Sequence, residues 1–204
     1  MTENPEFKKS RLDDEDLILD PEGALLVGAV GRFTKLARRI HWFLAVGLPV
    51  EDDLERDART YLDAMGFVDA GVALVENWED AAEAAASMDW NTPWWEAEEQ
   101  LVASLSAEAV ARHGDAELAM AMDHLRARIG EDTLMAAAEA ARSGGIDDEA
   151  LVNAAAGAAV QACYQAALVI LTQSGEDHPF ALRFRLFEAG RWPIGVTGAS
   201  FNLF

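Results

Sequence analysis

The sequence predicts an all-α fold: a single-domain bundle of about eight helices around a central, uncharged, alanine-rich helix, closed by a non-helical apolar C-terminal tail. Three observations carry this expectation. Apolar residues recur at three- and four-residue spacing along almost the whole chain, which is the period of a half-buried helix. No stretch alternates as a half-buried strand would. Residues 150–175 contain no charged side chain at all, as expected of a helix buried on every side.

The elements follow in order. Residues 1–22 carry Lys8, Lys9 and Arg11 with no apolar stretch behind them, which reads as a flexible polar tail rather than a signal peptide. Residues 23–189 form the helical domain. Its first helix places Leu26, Ala29, Phe33, Leu36, Ile40 and Phe43 on one face and stops before Gly47 and Pro49. A second carries Leu54, Ala58, Tyr61, Leu62 and Met65 up to Gly66, and a third runs from Val68 through Val72, Val75 and Ala82 to Ala86. Thr92 followed by Pro93 is a helix start with proline in the first turn, and that helix ends at Gly114. Leu118, Met122, Leu125 and Ile129 mark the next helix, closed by Gly130, and a short alanine-rich one covers 132–142. The uncharged helix begins near Asp147, and a last one covers Pro179 to Glu188.

Ala154, Ala158, Ala162 and Ala166 recur every four residues, a flat stripe against which another helix can approach closely. Asn153, Gln161 and Gln165 within the uncharged stretch, and the lack of basic flanks, favour a core helix over a membrane span. Gln161 and Gln165 are then buried amides that need partners, or the polar groups of an internal small-molecule pocket. Residues 190–204 break the helical pattern and are too apolar to lie free in water, so they are expected to pack on the domain as a strap, extended or as a small hairpin.

Charge is the other prominent feature. With 36 acids against 16 bases the chain has a formal charge of −20. Residues 1–50 hold eight acids and seven bases, residues 51–149 hold 25 and six, and residues 150–204 hold three and three. The excess is therefore local. It argues against direct nucleic-acid binding, which needs a basic surface, and against an anionic membrane face. Between Gly23 and Val50 there is no acid, and Arg32, Lys35 and Arg39 form one stripe, with Arg38 and His41 toward another side. That stripe can bind an anion or pair with acids of the same chain or of a second copy in a homodimer. Cys163 is the only cysteine, so no intrachain disulfide forms and a reducing, cytoplasmic setting is expected. Surrounded by alanines, it reads as a small hydrophobe.

The candidate site lies where the acids meet the tryptophans. Residues 60–111 contain no Lys or Arg but eleven acids and four of the six tryptophans: Trp78, Trp90, Trp94 and Trp95. Helices joined by a short turn at Asp89–Asn91 should be antiparallel neighbours with their carboxylates converging near the turn. On helical phase, Glu79 falls in the middle of the Val68–Val72–Val75 face with Glu83 beside it. Glu98 points inward with Trp94, Leu101 and Leu105, while Glu96 and Glu99 lean outward. The order Glu79-Asp80-x-x-Glu83, twelve residues, then Glu96-x-x-Glu99 resembles the paired acidic motif of all-α nucleoside triphosphate pyrophosphohydrolases. The resemblance implies a Mg²⁺ ion held by those carboxylates and bridging phosphates; Mg²⁺ is expected only within that reading, and no cofactor outside it.

The histidines, His41, His113, His124 and His178, show no metal-ligand spacing. The tryptophans can instead seal one end of the bundle or form a cage for a cation. The reading favoured is a non-enzymatic acidic interaction protein, inhibitor- or immunity-like. It would meet a basic protein partner through Glu79, Glu83, Glu96, Glu98, Glu99, Trp78, Trp94 and Trp95.

Overall fold

The computed structural model describes residues 21–204, with side chains from residue 28 onward. The polar tail expected over 1–22 lies outside the described residues except for Pro21 and Glu22, which open the first helix. The fold is mostly helical with one small sheet: α1 (Pro21–Ala37), α2 (Asp52–Ala64), β1 (Gly71–Leu74), α3 (Trp78–Ala85), α4 (Thr92–His113), α5 (Asp115–Ser143), α6 (Glu149–Thr172), α7 (Pro179–Glu188), β2 (Pro193–Thr197) and β3 (Ser200–Leu203).

Seven helices are present among the described residues where about eight were expected, because two expected helices are one, and two other helices have different bounds. The first helix stops at Ala37, and a tight-turned segment follows in which Phe43 adopts a left-handed φ of 58°. The helix expected over 68–86 is two elements: Gly71–Leu74 pairs as a strand, and the helix begins only at Trp78, where the Asn77 side chain accepts from the Asp80 N–H at 2.9 Å. The two helices expected on either side of Gly130 are one, α5. A Cβ at Gly130 would meet nothing within 4 Å, so this glycine only weakens local propensity, by about 1 kcal/mol. The contact of α5 along α6, the most extensive between any two elements, outweighs that.

α6 lies at the centre, packed by α5, α7, α4 and α1. By length and composition it is apolar enough to cross a bilayer, yet here it is the core helix. Asp148 caps it, accepting from the N–H groups of Ala150 and Leu151 at 2.9 and 3.1 Å. The expected stripe holds at Ala162 and Ala166, which are buried, but not in the first half of the helix: Ala154 is exposed and Ala158 half-buried, while Ala155 and Ala159 are buried. In the same apolar cluster lie Ala137 and Ala141 of α5, small enough for close approach. Cys163 is buried among them, and burial, with a smaller contribution from Glu188, pushes its thiol up to about 12.

The C-terminal segment is a small hairpin, one of its two expected forms, and it pairs with a strand, β1, in a stretch expected to be helical. β2 and β3 form an antiparallel hairpin, and β3 lies between β2 and β1, pairing parallel to β1 with Gly71 opposite Ser200 and Leu74 opposite Leu203. Tyr61, Leu62, Trp94, Leu182, Leu186, Val196, Phe201 and Leu203 make a second apolar cluster where α2, α4 and α7 meet the sheet. The hairpin also orders the α3–α4 turn: the Asn91 N–H donates to Val196 O and the Gly198 N–H to Asp89 O.

α7 is capped by His178, whose Nδ1 accepts from the Phe180 N–H at 3.2 Å, a role open only to the neutral ring. Burial lowers the His178 pKa below its ordinary value. The unfolded chain therefore takes up the proton first, so this stabilisation is present above about pH 6.5 and is lost as pH falls through the lower folded value. We expect the melting temperature to fall between about pH 7 and pH 5, and His178→Ser, which caps without titrating, to reduce that fall. An identical decline in the variant would remove His178 as its source.

Candidate functional site

Once α3 starts at Trp78, the direction of each acid is set. Trp78 and Ala81 face inward, and Glu79, Asp80 and Glu83 are exposed. The inward placement expected for Glu79 and Glu83 is corrected: Val72 and Val75, which defined that face, do not belong to the helix. α4 is capped one residue earlier than expected, by Asn91, which accepts from the Trp94 N–H at 3.0 Å. Trp94 is buried, Trp95 is 42% exposed, and Glu96 and Glu99 are exposed on the same helix.

α3 packs on β2 and α6 and does not lie along α4, so the carboxylates of the two helices are not brought together. Among the described residues no three His, Cys, Asp or Glu side chains are grouped as a metal ion requires. The pairs Glu79/Glu83 and Glu96/Glu99, which resemble a Mg²⁺ motif in spacing, stand on separate exposed faces. The structure does bring together three of the tryptophans. Trp95 meets Trp90 and Trp94 edge-on at ring-centroid distances of 5.8 and 5.3 Å. Gly195 makes this possible, because a Cβ there would stand 2.9 Å from Trp90 Cζ3. Trp78 lies elsewhere, against Trp192 and Phe204.

Glu98 is the exception among the acids. It is 5% exposed and faces Arg183 of α7 and Gln165 of α6. Arg183 Nη1 donates to Glu98 Oε1 at 2.6 Å, Gln165 Nε2 donates to the same oxygen at 2.5 Å, and Arg183 Nη1 also reaches Gln165 Oε1 at 3.3 Å. Burial works to lower the Arg183 pKa, but the Glu98 charge, Tyr61 and the Glu98 hydrogen bond outweigh it, and the net direction is upward. The guanidinium also stands 6.0 Å from the Trp94 ring centroid. The Tyr61 hydroxyl is pushed above its usual range mainly by burial. With its charge matched, Glu98 is a structural anchor of α4 on α6 and α7 rather than a surface ligand. Arg183 was not singled out from sequence. The signal available was an arginine flanked by Leu182 and Phe184 on the apolar side of its helix, with one inward acid in search of a partner.

Of the remaining candidates, Gln161 is exposed and only Gln165 is buried. Arg32, Lys35 and Arg39 are exposed and make no ion pair among the described residues, whereas Arg38 Nε pairs with Asp132 Oδ2 at 2.7 Å. His113 Nε2 lies 3.2 Å from Leu171 O, while His41 and His124 are exposed. Comparison with protein-family models, with curated proteins and with solved structures found no match to the chain.

Proposed function

We propose that the protein is a non-enzymatic interaction protein that receives a basic partner on its acidic, tryptophan-bearing face, in an inhibitor- or immunity-like role in the cytoplasm. The observation that carries this is the exposure of Trp95 on α4 beside Glu96 and Glu99, backed by Trp90 and Trp94. An exposed indole held rigid by neighbouring rings has the character of an interface anchor, contributing contact area at little entropic cost.

The surrounding charge supports the same reading. Glu98 is the only buried acid among the described residues. Of the other acids in 51–149, only Asp53, Glu108, Asp123 and Asp132 make ion pairs among the described residues. The local excess thus stands at the surface, where it accelerates encounter with a cationic partner and disfavours acidic ones.

The test is capture from lysate of the protein's own cells with wild type, with a Glu79→Lys, Glu83→Lys, Glu96→Lys, Glu99→Lys variant, and with Trp95→Ala. Glu98 is left intact because it is buried in an ion pair and its loss would destabilise the fold. A partner of net positive charge should be retained by wild type, lost from both variants, and weakened when salt is raised from about 0.05 M to about 0.3 M. Equal recovery by all three proteins would refute the proposal.

A further inference from the structure

Distinct from the exposed Trp95 surface of α4, the segment between α1 and α2, the start of α3 and the last turns of α5 line a cleft of about 750 Å³, within the size range of small-molecule sites. We propose that this cleft binds an organic ammonium ligand, an amine carried on an aromatic or aliphatic body.

Its walls are aromatic and fixed. Trp42 is held edge-on by Phe187 and Phe184 at 5.8 and 6.3 Å, and Trp78 by Phe204 at 5.0 Å. The Trp78 ring sits so close to Gly144 that a Cβ there would fall 2.4 Å from its Cδ1. Gly47, at a φ of 71°, closes the other side, where a Cβ would stand 3.1 Å from Glu76 O. Phe43 completes the wall in a left-handed backbone conformation that a bulky L residue seldom adopts. Arg191, in the link between α7 and β2, pins the segment by donating to Leu48 O and Pro49 O, each at 2.7 Å. A cleft built this way needs little rearrangement to accept a ligand, so less of the binding energy is lost to ordering.

The charge of the lining selects the ligand class. Arg38 and Asp132 neutralise each other across the cleft edge. Glu76 and Glu139 also line it, and neither makes an ion pair among the described residues. Two unpaired carboxylates lining a cleft with an otherwise largely apolar wall suit a cation with an apolar body: the ammonium meets the carboxylates while the body covers the apolar wall. An anion would meet the same carboxylates with no free guanidinium to offset them.

Three probes with one phenylethyl body separate charge from shape: phenethylamine, 2-phenylethanol and 3-phenylpropionate, each titrated calorimetrically into the full chain at low salt. The amine should bind at least about fivefold tighter than the alcohol, and the carboxylate should bind weakest. A Glu76→Gln, Glu139→Gln variant should weaken the amine by about fivefold or more while leaving the alcohol unchanged. Both positions lie at the surface, so the fold should persist. A Glu96→Gln, Glu99→Gln variant should leave the amine affinity as in wild type, which keeps this test independent of the acidic face. The proposal fails if the amine and alcohol bind equally, if the carboxylate binds best, if no probe binds up to about 10 mM, or if both double variants weaken the amine alike.

Discussion

Arg183→Met will lower the stability of the fold by about 3–5 kcal/mol, the cost of stranding a buried carboxylate without its counter-ion. At about 2–4 °C per kcal/mol for a chain of this size, the melting temperature falls by about 6–20 °C. The effect is large because both partners are 5% exposed, so water cannot replace the lost guanidinium. Glu98→Met strands the guanidinium instead and should cost a similar amount. The double variant Glu98→Met, Arg183→Met should recover much of the loss, since an apolar pair of comparable volume carries no desolvation penalty. Gln165 then loses both partners, and an unsatisfied buried amide costs about 1–3 kcal/mol, so adding Gln165→Leu should complete the recovery. Urea unfolding of the four proteins closes the cycle, with an expected coupling of at least about 2 kcal/mol between positions 98 and 183. Additive single losses would show instead that each side chain matters only for its own packing.

The same pair shows how far the sequence could be read. The inward phase of Glu98 is legible because Trp94, Leu101 and Leu105 mark the buried side of α4 over three turns. Its partner is not, because Arg183 lies 85 residues away and only the packing of α7 on α6 brings it near. Glu79 was misphased for a local reason: residues 68–76 share helical spacing with α3 but belong to a strand and a loop. β1 itself is four residues, Gly-Val-Ala-Leu, too short for alternation to register, and its pairing partner lies more than a hundred residues later. α4 and α6 are legible because capping residues, proline and long periodic runs all agree. Gly130 misled because local propensity is a weak signal that burial against a long neighbour overrides. The cleft was invisible for the reason β1 was: its walls come from four separate stretches of chain.

Deletion of residues 191–204 should abolish the folded state altogether, the largest effect expected of any change considered. β3 is the middle strand of the sheet, so its removal leaves β1 without a partner as well as eliminating β2. Trp192, Ile194, Val196, Phe201, Leu203 and Phe204 are all at most 7% exposed, and each large buried side chain is worth about 2–5 kcal/mol when truncated. Their combined loss exceeds the total stability of about 5–15 kcal/mol available to a domain of this kind. The deletion would also bare Trp78 against Trp192 and Phe204, and Tyr61 against Phe201, whose rings are 5.3 Å apart. It would release the segment between α1 and α2 from Arg191 as well. Circular dichroism and size exclusion should therefore show lost helicity or aggregation, and Phe201→Ala alone should cost about 3–5 kcal/mol in urea unfolding. A truncated chain that melts like the full one would make the hairpin an appendage available for docking. Trp192 and Phe204 argue against that, since their backbones exchange hydrogen bonds of 2.6 and 3.0 Å while their rings close over Trp78, so the strands cannot leave without opening the core.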